Sequence, residues 1–470
     1  MNLTPESLRP DAMSITLTRE KVASRFPSAL SLLSDLVRVP GIAWEAFPEE
    51  NLSASAELVA KNVRATGIFD FVEIRSASVA GKSGAPAIVA HRAARNGRPQ
   101  VLLYAHHDVQ PPGDLSQWQT PPFQPTVIDG RIFGRGAADD KAGIVAHLTA
   151  IQVLRDMVGP DFELGISLFI EGEEEAGSPT FRKFLEENRE ALNADVIMVA
   201  DSTNWSTTVP ALTTTLRGLV SQVVELRTLD HALHSGMYGG AVPDAMTAMI
   251  RLLGTLHDSD GNVNVAGLKS GKASELDYTD ESLATDSGLL NGVSQIGSGS
   301  ILDRIWAKPA ITVIGIDAVP IAESSNTMQP EMRAKISMRI APGESPNQAL
   351  DLLRSHLIAN TPFGAKLQFG ETELGKPFAD ENSGWAKELA SASLSGAFGA
   401  DAVDIGIGGS IPFIADLIEV FPKAQILVTG VEDPDSRAHS PNESVHIETL
   451  RSAMVAESLF LYKGNDLRVN

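Results

Sequence analysis

Short apolar runs rich in β-branched residues alternate with longer stretches of helical periodicity along this chain. Four runs have the length and composition of buried strands: Val101–Tyr104, Leu164–Ile170, Val196–Ala200 and Ile426–Thr429. Between the first two, a helical stripe is formed by Ala142, Val145, Leu148, Ile151 and Leu154. This alternation predicts an α/β fold organised on a sheet, rather than a β-sandwich or a helical bundle.

The pattern changes from about residue 211. The segment TTTLRGLVSQVVELRT alternates as a strand does, Pro243–His257 has helical periodicity, and ITVIGI and AKISMRIAP are further predicted strands. Residues 258–300 are rich in Gly, Ser and Asp, which indicates surface excursions. The first pattern returns after about residue 375. We therefore predict a discontinuous main domain, residues 1–210 and 376–470, interrupted by an inserted α+β domain, residues 211–375.

Composition excludes several classes of protein. The 470 residues carry 59 acidic and 38 basic side chains, a formal charge of −21, which argues against a nucleic-acid partner because phosphate binding needs clustered cations. The first 25 residues contain no apolar run of signal-peptide length, and nowhere do 18 apolar residues follow one another without a charge. We expect a cytoplasmic protein without a membrane partner. Because the chain has no cysteine, a bound metal must be held by His, Asp and Glu.

Such side chains directly follow the predicted strands. His106 and Asp108 come after VLLYA, Glu171–Glu175 after LGISLFI and Asp201 after VIMVA, while Asp139 lies in GRGAADDK before a predicted helix. Each residue alone is typical of a turn or a helix cap. In open α/β sheets, however, ligands bind at the carboxyl ends of the strands. Adjacent glutamates also repel one another unless a cation is near. The joint pattern therefore predicts a metal centre.

Seven motifs occur in the order YAHHDVQPP, FGRGAADDKAG, IEGEEEAGS, VADS, LHSG, GGSIP and AHSPNE. They resemble the M20 family of di-metal peptidases, and most of all its carnosinase and cytosolic dipeptidase branch. The resemblance spans roughly residues 20 to 460. It implies a zinc-peptidase-like catalytic α/β domain, split in sequence, and an inserted α+β lid domain that also forms a homodimer.

The resemblance implies five metal ligands, with the second of them bridging two ions: His106, Asp139, Glu175, Asp201 and His439. Two divalent cations carry four positive charges, which the three carboxylates and a bridging hydroxide would neutralise. Zn²⁺ is the first choice for such oxygen and nitrogen ligands, and Mn²⁺ and Co²⁺ are alternatives.

Two further carboxylates match the family pattern. Asp108 matches the aspartate that orients the imidazole of the first ligand, a common partner of metal-bound histidines. Glu174 matches the catalytic glutamate. It is implied to take a proton from a water that bridges the metals, so that this water attacks the amide carbonyl, and then to protonate the leaving nitrogen. The family also implies a cis peptide between Asp139 and Asp140.

The inserted domain is implied to complete the site. His234 of LHSG, together with one metal, is the candidate that stabilises the oxyanion, either by lid closure or across a dimer. Arg339 matches the lid arginine that binds a substrate carboxylate, for which its planar fork is suited. Gly409 and Ser410 could offer backbone donors to the same carboxylate, and Thr327 aligns with a position that contacts the substrate.

The reaction that we predict is hydrolysis of a dipeptide or similar small peptide with a free C-terminal carboxylate. An N-acyl-amino-acid amidohydrolase on the same fold is one alternative, and a non-catalytic metal- or peptide-binding protein is an alternative of another class. Glu174 beside a full ligand set favours an enzyme. The branch often has an arginine shortly before GGSIP, where this chain has Gly406 and Ile407, so the predicted pocket is less cationic.

Overall fold

The structure is a computed structural model that describes residues 8–380, 384–409 and 412–469. The chain divides into two compact units. The first comprises Met1–Thr214, Asp380–Ile405 and Asp416–Asn470, and the second comprises Thr215–Ala379 and Gly406–Ala415.

A six-stranded sheet organises the first unit. In spatial order its strands are Phe71–Arg75, Ala87–Arg92, Gly165–Glu171, Gln100–His106, Val196–Val199 and Gln425–Val428. The last four are parallel to one another, whereas the second runs opposite to both of its neighbours. The four runs that were predicted as strands are confirmed. Because parallel strands share a direction, the carboxyl ends of these four meet at one edge of the sheet.

Helices cover this sheet. The strand Gly165–Glu171 is buried along its whole length, as expected of a strand covered on both faces. The helices of the first unit are Ala12–Val37, Glu49–Ala65, Lys141–Val158, Phe181–Glu187, Arg189–Leu192, Trp385–Phe398 and Ile447–Gly464, with single turns at Leu115–Gln117 and Glu174–Ala176. Helix Pro412–Val420 begins in the second unit and ends in the first. The α/β fold class predicted from the apolar pattern is confirmed.

The helix Lys141–Val158 follows Asp139 and Asp140 directly and carries the predicted apolar stripe. Every residue from Lys141 to Ile151 is buried, because the helix packs against both the sheet and its neighbouring helices. It ends at Gly159, whose φ of 102° is a conformation that residues with a side chain rarely adopt.

Short strands complete the first unit: Ser78–Val79, Lys82–Ser83, Thr126–Ile128, Arg131–Phe133 and Ser444–His446. Two further strands, Ala211–Leu216 and Val403–Ile407, each contain a point at which the chain passes from one unit to the other.

The second unit is built on a four-stranded antiparallel sheet. Its strands, in spatial order, are Ala310–Asp317, Glu331–Ile340, Gly218–Arg227 and Lys366–Gly375. Exposed and buried residues alternate along Glu331–Ile340, so one face of the sheet is turned to the core of this unit. The helices Ala245–Gly254 and Pro346–Ala359 supply the other side of that core.

The remaining elements of the second unit are short. They are the strands Leu233–His234, Thr327–Met328 and Phe378–Ala379, and the helices or helical turns Ser235–Tyr238, Asp280–Ser287, Asp303–Ala307, Ile321–Glu323 and Pro362–Gly364. The predicted helix over 243–257 is confirmed as Ala245–Gly254, which begins where the Asp244 side chain accepts the N–H of Thr247 at 2.9 Å. None of the helices in the described part of the chain has both the length and the apolar character that crossing a membrane requires.

Candidate metal centre

Six potential ligands occupy the edge of the sheet where the parallel strands end. In a first group the donor atoms of His106, Glu174 and Asp201 all lie within 4.8 Å of one another. In a second group the same holds for Asp139, Glu175 and His439. All six residues belong to the first unit. The donors are nitrogen and oxygen only, a set that suits Zn²⁺, Mn²⁺ or Co²⁺.

Asp139 joins the two groups. Its Oδ1 lies 2.9 Å from Nε2 of His106, and its Oδ2 lies 3.0 Å from Nε2 of His439. Nε2 of His439 is also 3.1 Å from Oε2 of Glu175. A carboxylate whose two oxygens face different groups has the geometry of a bridging ligand. The Asp139–Asp140 peptide is cis, as the family resemblance implied.

Hydrogen bonding and burial perturb these ionisable groups in opposite directions. Hydrogen bonds with Asp139 and Glu175 raise the pKa of His439 to about 11. Burial acts to lower the pKa of His106, but its hydrogen bonds to Asp108 and Asp139 outweigh burial and raise it well above the usual value. The carboxylates of this edge therefore strongly favour a neighbouring positive charge.

The carboxylates themselves are costly to ionise together. Burial raises the pKa of Asp201 to about 7. Burial, followed by the charge of Asp201, raises the pKa of Glu174 well above its usual value. Burial and the charge of Asp139 do the same, less strongly, for Glu175. Bound cations would remove this repulsion, so the residues present fit a two-metal centre.

Asp108 lies between the first imidazole and the glutamate turn. Its Oδ1 is 3.5 Å from Nδ1 of His106, and its backbone carbonyl is closer to that nitrogen, at 3.1 Å. The carboxylate accepts the N–H groups of Glu174 and Glu175, at 3.2 and 3.0 Å. The carboxylate of Asp108 thus holds the glutamate turn, whereas the nearer partner of the imidazole is the backbone carbonyl of the same residue.

Two supporting residues were missed by sequence reasoning. The carboxylate of Glu443, which is fully buried, accepts the N–H groups of Gly136, Ala138 and Asp139 at 3.0 to 3.1 Å. Gln110 donates to both carboxylate oxygens of Glu175, from its backbone at 3.2 Å and from Nε2 at 2.7 Å. Glu443 is part of the motif AHSPNE, but its role depends on a contact with a segment far away in the chain, which the sequence does not reveal.

The predicted lid residues lie in the second unit. His234 and Thr327 are paired in the two-stranded sheet, and both are exposed. Nδ1 of His234 accepts the N–H of Gly236 at 3.1 Å. Nε2 is therefore the ring nitrogen that this hydrogen bond does not use. Gly409 follows the strand Val403–Ile407, whereas Ser410 lies outside the described residues.

A second arginine, Arg217, lies near Arg339 in the same unit, and the sequence analysis did not single it out. Burial, followed by the positive charge of Arg339, lowers the pKa of Arg217 to about 10. Nε of Arg217 donates to the carbonyl of Gly408 at 3.1 Å. Two guanidinium groups within electrostatic range of each other favour a negatively charged ligand between them.

Comparisons with known proteins show which family the chain matches. Residues 102–462 match the model of peptidase family M20/M25/M40. A cysteinylglycine-S-conjugate dipeptidase of Corynebacterium striatum is 34% identical over 368 residues, which cover 77% of this chain and 80% of that protein. A beta-Ala-His dipeptidase of Rattus norvegicus is 27% identical over 378 residues, 77% of this chain and 76% of that protein.

Among solved structures, the di-peptidase Dug1p from Saccharomyces cerevisiae superposes with a TM-score of 0.77 at 21% identity, covering 97% of this chain and 100% of that one. This likeness shows the fold. The resemblance found in the seven motifs is therefore confirmed by the match along most of the chain. The chain belongs to peptidase family M20/M25/M40 and is a metallopeptidase, a hydrolase of peptide bonds.

Proposed function

We propose that this chain is a di-metal dipeptidase that hydrolyses small peptides with a free C-terminal carboxylate. One observation carries the proposal: Glu174 and Glu175 are adjacent in the chain, yet their carboxylates belong to two neighbouring donor groups joined by Asp139. That arrangement supplies sites for two cations and a glutamate beside them. The dipeptidases among its relatives support the substrate class.

The residues that would hold the metals are His106, Asp139, Glu175, Asp201 and His439, with Zn²⁺ as the first choice and Mn²⁺ or Co²⁺ as alternatives. Two divalent cations bound there would lower the pKa of a water and polarise the scissile carbonyl.

Glu174 is the proposed general base. Its burial raises its pKa, so this carboxylate takes up a proton readily. It would accept the proton of the attacking water and then donate it to the leaving nitrogen as the peptide bond breaks. Asp108, which holds the backbone N–H of Glu174, keeps the carboxylate in position.

The second unit would bind the rest of the substrate. We assign His234 to the oxyanion and Arg339, with the nearby charge of Arg217, to the C-terminal carboxylate. Thr327, which is paired with His234 in one small sheet, is assigned to the substrate beside it, and the N–H of Gly409 to the carboxylate. The same role stays predicted for Ser410.

We also propose a homodimer formed through the second unit. The strand Ala310–Asp317 is the edge of its sheet and exposes apolar side chains, among them Val313, Ile314 and Ile316. An exposed apolar edge strand is a template for pairing. The same strand of a second copy would satisfy it by two-fold symmetry.

The base is tested by Glu174→Gln. We expect kcat on a dipeptide to fall by at least about 100-fold, because general bases contribute about that much, while the metal content stays near two ions per chain. Glu187→Gln, on an exposed helix position, is the control and should leave kcat unchanged. Undiminished turnover, or loss of metal, would contradict the assignment.

The proposed role of His234 is tested with a single variant and with mixed dimers. His234→Ala should lower kcat with the metals retained. If His234 serves the partner's site, then mixed dimers of His234→Ala and Glu174→Gln subunits regain part of the activity, because one of their two sites has both groups intact.

The dimer contact is tested by Ile314→Lys, which should shift the sedimentation coefficient towards the monomer. Unchanged sedimentation would reject this edge as the dimer contact.

A further inference from the structure

A fourth parallel strand brings another carboxylate to the edge where the metal ligands lie. The strand Gln425–Val428 pairs with Val196–Val199, the strand that leads to Asp201. Four residues after its end comes Glu432, which forms an isolated parallel bridge with Thr203. The backbone N–H and the side-chain amide of Asn204 donate to the carbonyl of Glu432, at 2.9 and 3.0 Å. The backbone of Glu432 is thus held beside Asp201.

The carboxylate of Glu432 has no hydrogen bond or ion pair with any of the described residues, and its residue is half-buried. Its neighbour Asp433, by contrast, is fully engaged, because Arg131 binds both of its carboxylate oxygens at 3.0 and 2.9 Å. Burial, followed by the charges of Asp139 and Asp201, raises the pKa of Glu432 well above its usual value. A carboxylate so placed is costly to keep charged without a positive partner.

Glu432 is not one of the proposed metal ligands. Glu432 belongs to neither of the two donor groups found among the described residues, so it lies within electrostatic range of the centre without being one of its six potential ligands. The charge of His439 acts to lower the pKa of Glu432, but less than burial and the neighbouring carboxylates raise it. A further positive charge that arrives near the centre would therefore find a partner in this carboxylate.

A dipeptide supplies such a charge. Its N-terminal ammonium is attached to the carbon next to the scissile carbonyl, roughly 2.5 Å from the carbonyl carbon. Any pose that presents the carbonyl to Glu174 therefore brings the ammonium close to the centre. Two divalent cations would repel the ammonium, and the ligand carboxylates are already needed to neutralise those cations. An additional carboxylate outside the ligand set would offset that repulsion.

We propose that Glu432 binds the N-terminal ammonium of a dipeptide and so makes this site select free dipeptides over N-acyl amino acids. The inference rests on the proposed dipeptidase function and makes Glu432 a determinant of its specificity. It also separates this chain from an N-acyl-amino-acid amidohydrolase by a named side chain, because an N-acyl amino acid has no ammonium next to its scissile carbonyl.

The test compares L-Ala-L-Ala with propionyl-L-Ala, which differs only in having hydrogen in place of the ammonium. In the wild type we expect kcat/KM to be roughly 10- to 100-fold higher for the dipeptide, as for loss of a charged hydrogen bond. Glu432→Gln should lower kcat/KM for L-Ala-L-Ala by a similar factor, mainly through KM, and leave propionyl-L-Ala within about twofold. Glu432→Asp, which keeps the charge, should retain more of the discrimination.

Asp435→Asn is the matched control, since it removes one charge from an exposed position three residues away. It should change neither substrate. Metal content, measured by elemental analysis, should stay at wild-type level in all variants. Equal losses on both substrates, loss of metal from Glu432→Gln, or an unchanged KM for L-Ala-L-Ala would each overturn the role of Glu432. A metal-loaded wild type that cleaves no dipeptide would instead overturn the proposed function itself.

Discussion

The single residue Glu443 shows how one buried carboxylate can shape a metal centre without touching a metal. It accepts three backbone N–H groups of the turn that ends at Asp139, and it pairs with the buried guanidinium of Arg135 at 2.6 Å. Residues 134–140 are all buried, so water does not readily replace the carboxylate as acceptor for these N–H groups. The position of Asp139, the proposed bridging ligand, therefore depends on Glu443.

Glu443→Gln should destabilise the protein by roughly 3–5 kcal/mol, because it leaves Arg135 buried without a counter-charge. It should also weaken metal binding by about 10- to 100-fold, as loss of a group that orients a ligand does. Urea unfolding and a metal titration measure the two effects. Glu448→Gln removes an exposed partner of Arg451 and should cost less than about 1 kcal/mol. Equal effects of the two substitutions would contradict this account of Glu443.

Two helices of the first unit are joined by a buried ionisable pair. His147, on Lys141–Val158, lies 2.8 Å from Oε1 of Glu457, on Ile447–Gly464, and its other ring nitrogen lies 3.0 Å from the carbonyl of Tyr104. Burial acts to lower the pKa of His147, but the charge of Glu457 and the hydrogen bonds to Glu457 and to the carbonyl of Tyr104 together outweigh it and raise the pKa above 6.5. The pair thus links helix packing to pH.

A raised pKa means that the folded state holds the proton more tightly than the unfolded state does. This contribution to the free energy of unfolding is therefore complete below about pH 6.5 and is lost as the pH rises through the raised pKa. We expect the stability difference between the wild type and Glu457→Gln to shrink as the pH is raised over that window. Denaturant unfolding at several pH values checks it, with Glu448→Gln as the control. A difference that does not vary with pH would refute the coupling.

At the scale of the whole molecule, each unit has a hydrophobic core of its own, and both donor groups lie in the first unit. A ligand that binds only the folded state stabilises it by about 2.7 kcal/mol when present at about 100 times its Kd. Removal of the metals should therefore act on the first unit alone.

Hydrogen-exchange mass spectrometry with and without a chelator measures this effect for each unit. Peptides of the first unit should lose protection on chelation, and peptides of the second unit should not. In Asp139→Asn the chelator should change the protection of the first unit little, because this variant lacks the carboxylate that joins the donor groups. In His234→Ala the loss of protection should equal that of the wild type. Equal loss of protection in both units would show that the metals stabilise the molecule as one cooperative body.

The sequence by itself determined the four buried strands and the candidate ligands at their ends, because apolar runs and the residues that follow them are local features. Thus His106 and Asp201 could be assigned to strand ends without coordinates. Only the tertiary structure decided which buried groups support that centre. Glu443 contacts a turn that is 304 residues from it at Asp139, and His147 meets Glu457 over a separation of 310 residues. The proximity of Glu432 to Asp201 likewise depends on the pairing of Gln425–Val428 with Val196–Val199. Contacts between segments so far apart in the chain are set by the packing of the sheet and helices, which no local pattern encodes.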